Sequence, residues 1–187
     1  MPLTPDQEKY IAVIGEEMNL LNDKMSRSLK IVTPRIKNLR EHKFFIEALL
    51  VNSQVLEHYL RLTIKGFISR RKIVESIGEK DLYKDVDLDL KEDKNGVPLG
   101  GLIGMIKNLK ITSKLGEKLD KFNKYRKEAT HHILDGDGNI EQFEVEIDTY
   151  IKSEEFISIF FEIYTHQENN RNEVTEIVNR YRVEYKH

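Results

Sequence analysis

"TPRIKNLREHKFFIEALLVNSQVLEHYLRLTIKGFI" (residues 33–68) decides the fold class. Its apolar side chains fall at 45, 48, 49, 56, 59, 60, 64 and 67. That is one stripe at helical spacing, not the alternation of a strand. Thr33-Pro34 reads as a helix start, with Thr as cap and Pro in the first turn. One long helix is therefore expected from there, ending between 68 and 78. The same signature opens the chain. Thr4 caps, Pro5 fits the first turn, and Gln7 completes a capping box. Apolar residues at 11, 14, 18, 21 and 25 keep the period, so an N-terminal helix is expected over 5–28.

Beyond the long helix, "EKDLYKDVDLDLKEDKNGVP" (79–98) is polar, with Asn95-Gly96 and Pro98 as breakers, and reads as an exposed connection. "LGGLIGMIKNLK" (99–110) reads as a short apolar helix whose glycines permit close packing. "SKLGEKLDKFNKYRKEATHHIL" (113–134) starts on a Ser cap and carries apolar residues at 115, 119, 122, 129 and 133. "DGDGN" is a turn, and Asn139 caps a helix through "IEQFEVEIDTYI"; another helix covers "SEEFISIFFEIYTHQ". Strict alternation is confined to scraps such as "VDLDL". The expected fold is all-α, an antiparallel bundle in a single domain.

Bulk properties narrow the class of function. At 187 residues the chain can bury a core without staples. Without cysteine it has neither disulfides nor thiolate zinc sites. A net charge of −2 offers no global basic field for nucleic acid, while leaving room for a local patch. The first 30 residues lack the apolar run of a secretory leader, and runs such as "FISIFF" are far too short to span a bilayer. A soluble, cytoplasmic protein with no membrane partner is expected.

The chemistry concentrates in "FNKYRKEATHHILDGDG" (122–138). At 100° per residue, Leu119, Phe122, Ala129 and Ile133 lie within about 60° of Arg126. Arg126 thus occupies the apolar stripe, where a guanidinium is costly unless it is paired or reaches a cavity. One reading has it extend to the edge and pair with a carboxylate such as Glu57. The other makes it an anion site, with its fork of donors on a phosphate. His131 and His132 lie about 140° and −120° from Arg126. They share its face only if the helix unwinds near residue 130 or if a second chain supplies one member.

These residues carry a resemblance. "KYRKEATHHIL" resembles the Arg-(four to six residues)-His motif of the HEPN superfamily, with four residues between Arg126 and His131 and five between Arg126 and His132. "EALLVNSQVLEHYLRLTI" (47–64) looks like that family's long first core helix, and "LGGLIGMIKNLK" like the short helix before the motif helix. The resemblance spans about residues 35–165, leaving an extra N-terminal helix and a C-terminal helical extension (167–187) outside it. It implies a helical bundle, often dimeric. Many members are metal-independent endoribonucleases of toxin–antitoxin or phage-defence systems, and others are non-catalytic modules that bind nucleotides or proteins. The implied partners are RNA, a second copy of the chain and an antitoxin or other partner protein, with no cofactor.

In that reading His131 is general base or acid, with His132 in reserve or serving as a helix-end cap. Arg126 clamps phosphate, Glu57 orients, and Lys124 and Lys127 add phosphate contacts. Many active members carry Asn, Asp or His directly after the Arg; here it is Lys127, a departure that bears on catalysis more than on fold. Other signals are weaker. "DGDGNIEQFEVE" (135–146) has acidic calcium-loop letters but Ile140 where the sharp turn needs Gly. The glycines at 96, 100, 101 and 104 lack a phosphate loop's Gly-Lys-Ser/Thr ending. "IVNRYRVEY" mixes Arg and Tyr as an RNA contact would, and equally as a packed helix would.

Overall fold

A computed structural model describes residues 3–90, 96–109, 111, 113–135 and 139–184; the side chains of 113, 132–135, 183 and 184 are also outside the description. The described residues form six helices and no strands: α1 (Pro5–Glu41), α2 (Phe45–Ser76), α3 (Leu99–Asn108), α4 (Ser113–Asp135), α5 (Ile140–Lys152) and α6 (Glu154–Glu184). The chain is an all-α helical bundle.

α2 is the axis of the fold and touches every other helix. Its sequence explains why. Ala48, Leu49, Val55, Leu56, Tyr59, Leu60, Ile64 and Phe67 are all buried. They point in several directions around the helix, as in one enclosed on most sides. The main core joins them to Leu102, Ile106, Leu119, Phe122, Ile147, Phe156 and Ile159 from the surrounding helices. A second cluster closes the far end of α1, α2 and α6 around Ile11, Ile14, Met18, Ile73, Val174 and Val178. Thr4 forms the expected capping box with Gln7, and Asn139 accepts from the Gln142 N–H.

One helix boundary differs from the sequence expectation. Thr33-Pro34 starts nothing, because α1 runs through Pro34 to Glu41. Proline removes one backbone bond and crowds the preceding turn, yet on an exposed stretch the helix tolerates it. The reversal comes instead at 42–44, where Lys43 adopts a left-handed φ of 62°. At the other end the C-terminal extension from residue 167 continues the last helix without a break to Glu184. The connection after α2 is also less exposed than its composition suggests. Asp81, Leu88 and Val97 are buried. Three arginines of α2 pin it: Arg70 on Asp81, Arg71 on the carbonyl oxygens of Tyr83 and Val86, and Arg61 on the Val97 carbonyl oxygen. The "DGDGN" turn and calcium-loop letters at 136–138 lie outside the described residues, as does the Ser113 cap.

Candidate active site

α4 carries the motif because its apolar stripe is docked on the core. Leu115, Leu119, Phe122 and Ala129 are all buried to within 1% of complete enclosure. Phe122 stacks on Phe156 at 5.8 Å between centroids, and Tyr125 on Tyr150 at 4.4 Å. Lys118 pairs with Glu162 and Lys121 with Glu155, which fixes α4 along α6. Arg126 sits in the next position of that stripe but is only half-buried. The guanidinium therefore emerges at the edge of the packed face. Among the described residues it has no ion pair.

Glu57 is not its partner. Its carboxylate accepts from the Arg61 guanidinium at 2.8 Å, one turn along α2, and Arg61 also donates to the Val97 carbonyl oxygen at 2.5 Å. The pairing of Glu57 with Arg126 considered from the sequence is thus replaced by an i,i+4 pair, which needs no tertiary contact to form. Glu57 orients Arg61.

His131 is exposed, and α4 continues as regular helix past it to Asp135. The helix does not unwind at residue 130, which removes one of the two ways in which Arg126 and His131 could share a face. Within one chain they stay about 140° apart. His131 instead shares the solvent face with two lysines. Lys124, Lys127 and His131 are all exposed and fall within about 60° of one another. Lys124 lies 3.8 Å from Glu128, an exposed and weak pair. His132 lies in the helix, and its side chain is outside the described residues.

Two groups that sequence reasoning missed border Arg126. Asn123, one turn earlier on α4, has its Oδ1 buried with no hydrogen-bond partner among the described residues. Its Nδ2 is 3.8 Å from where a Cβ on Gly100 would stand, so it abuts the first turn of α3. That helix starts on Pro98 with no side-chain cap and no acidic residue in its first turn. Among the described residues no acid caps its N-terminal pole, and Gly100 and Gly101 are exposed in its first turn. Arg61 borders the same end through Val97. The spacing "NKYR" was the available signal for Asn123; nothing in the sequence announced Arg61.

The arrangement has two parts. In one, Asn123 and Arg61, the latter paired with Glu57, stand at the start of α3, and Arg126 follows Asn123 by one turn on α4, a cation available to an anion. A separate exposed strip comprises Lys124, Lys127 and His131, suited to proton transfer beside a phosphate backbone. Among the described residues no group of three or more His, Asp or Glu side chains is placed to hold a metal ion, and no helix is long and apolar enough to cross a membrane. No family model matches the chain, and searches of curated proteins and of solved structures find nothing similar to it.

Proposed function

We propose that the chain is a HEPN-type endoribonuclease that works without metal as a homodimer, in the cytoplasm, in a toxin–antitoxin or defence setting. The observation that carries this reading is Arg126. It is a guanidinium held in the buried register of a core helix, yet half-exposed and without a carboxylate among the described residues. A structural arginine would be expected to have a partner, as Arg70 does. An arginine kept for a ligand's phosphate would not.

The dimer follows from the facing problem. His131 cannot reach what Arg126 of its own chain holds, so His131 of a second protomer supplies the proton transfer. The chemistry then balances. The histidine takes the 2′-hydroxyl proton as the oxygen attacks phosphorus and the P–O2′ bond forms. Arg126 and the α3 N-terminal pole stabilise the added negative charge. The P–O5′ bond breaks, and the leaving oxygen takes the proton back from that same histidine, now an imidazolium. The products are a 2′,3′-cyclic phosphate and a 5′-hydroxyl. Lys124 and Lys127 hold the strand beside His131.

The test is cleavage of a labelled RNA panel in EDTA by wild type, Arg126→Ala and His131→Ala. The expected result is cyclic-phosphate ends from wild type and losses of about 10²–10⁴-fold in each variant. Mixing the two variants should restore part of the activity, since a mixed dimer retains one intact Arg126–His131 pair. Equal cleavage by all three proteins overturns the residue assignment. Absence of cleavage across the panel overturns the nuclease reading.

A further inference from the structure

The C-terminal half of α1 is built differently from the rest of the molecule. After Met25 it runs sixteen residues to Glu41 without one fully buried side chain. Leu29 and Ile31 are exposed, and Val32, Ile36 and Leu39 are only half-covered. This stretch forms one wall of an open groove of about 900 Å³, whose floor and far wall include Val55, Ile151, Phe156, Phe160 and Phe161. Phe161 and Ile157 on the far wall are 70% and 58% exposed. Exposed aromatic and aliphatic side chains that converge on one concavity mark an interaction site.

Charge says what fits there. Residues 24–43 hold seven cations (Lys24, Arg27, Lys30, Arg35, Lys37, Arg40 and Lys43) against one carboxylate, Glu41, a net of +6 within a chain of net −2. All but the half-buried Arg40 are exposed. The charged side chains lining the groove are Lys37, Arg40 and Lys152; Arg40 and Lys152 share one carboxylate, Asp148, and Lys37 lies 3.8 Å from Glu41, so the lining keeps a net positive charge. Shape supplies the rest. Lining positions on α1 extend from Ser26 to Arg40, roughly 21 Å of helix, which matches about four turns of a second helix laid alongside.

We infer that this groove docks an acidic amphipathic helix from a partner protein. Its apolar face would sit on Leu29, Ile36, Phe160 and Phe161, and its Asp and Glu residues would face Lys30, Lys37, Arg40 and Lys152 on the groove side. The concavity does not suit a flat bilayer surface. The Phe-lined floor does not suit a phosphate backbone. Two copies of the chain meeting here would oppose two faces of the same positive sign. α4 contributes nothing to the groove, so the inference is independent of the nuclease reading.

The experiment is selection of a displayed library of four-turn helices, with free choice of Asp, Glu, Lys, Arg and apolar residues, on the full-length protein. Phe161→Glu and Lys30→Glu/Lys37→Glu serve as variants, each checked for an unchanged unfolding midpoint. Expected are acidic sequences with apolar residues spaced i, i+3/4, i+7. Their binding should fall at least tenfold in Phe161→Glu, weaken with salt, and shift toward basic sequences on Lys30→Glu/Lys37→Glu. The inference is overturned if no selected helix depends on Phe161, or if neutral or basic helices win on the wild type. It is equally overturned if phosphatidylcholine/phosphatidylserine vesicles or RNA bind this face in a Phe161-dependent way while no helix does.

Discussion

Replacing Arg70 with Ala should be one of the most damaging single changes in this chain. The Arg70 side chain is 4% exposed and Asp81 is fully enclosed, with Nε donating to Oδ1 at 2.9 Å. The second carboxylate oxygen of Asp81 is buried with no hydrogen-bond partner among the described residues, so the guanidinium is what offsets its burial. Burial disfavours the arginine cation, yet hydrogen bonds to Asp81 and Glu173 and their charge outweigh this and raise its pKa. Arg70 also reaches Asn170 at 3.4 Å and lies 5.4 Å from the Tyr83 ring centroid. Removing one partner of such a pair costs about 3–5 kcal/mol, because the other charge is left stranded. Glu173 adds little to that figure, since it is half-exposed and screened. The melting temperature of a domain this size should fall by roughly 6–20 °C. Urea unfolding with an unchanged m-value measures the effect directly. The control is Arg70→Met with Asp81→Leu, which removes both charges and should recover most of the loss. A single variant that loses less than about 1 kcal/mol would refute the reasoning. So would a double variant no better than the single one.

Two further changes probe the packing of α6. A Cβ on Gly66 would stand 2.4 Å from the amide nitrogen and oxygen of Gln167, which is completely buried. Gly66→Ala should therefore destabilise by roughly 1–3 kcal/mol through crowding, despite alanine's better helix propensity. Adding Gln167→Ala should rescue it, and stabilisation by Gly66→Ala alone would contradict the close approach. The pKa of His166 is pulled below its ordinary 6.5 by burial, with Glu162 opposing. The unfolded chain then takes up the proton first, so stability should drop as pH falls through about 6.5 toward the lower folded value. His166→Gln should flatten that slope in urea titrations between about pH 7.5 and 5.5. An unaltered slope would mean that the burial has no thermodynamic consequence.

What the sequence disclosed follows from which signals are local. The stripe on α2, the Thr4–Gln7 box and the Asn139 cap are encoded within a few residues of where they act, and they could be read directly. Pro34 misled because a cap signature states where a helix can begin; only the unfavourable alternative of breaking α1 there decides whether it does. The connection after α2 looked solvated because its composition is acidic. Arg61, Arg70 and Arg71 hold it down from residues far away in sequence, and three arginines on an otherwise buried helix were the available hint. Position 126 was legible as an anomaly in a periodic stripe, whereas its surroundings were not. Asn123 and the bare start of α3 meet there only because α3 folds back along α4.

The same logic separates the two surfaces proposed for ligands. Arg126 is conspicuous because it violates a buried pattern, and a violation is visible within a single helix. The α1 groove is conspicuous for the opposite reason. Pro34 apart, residues 26–41 carry the pattern of an amphipathic helix, with Leu29, Val32, Ile36 and Leu39 in register. Periodicity alone therefore implies that the stretch is packed. Only the fold reveals that those positions are covered incompletely and that Lys30 and Lys37 stand exposed beside them. Val32, Ile36 and Leu39 pack against the main core but stay only partly covered. A second surface laid in the groove would complete that burial, and the net positive charge of its rim suits an acidic one.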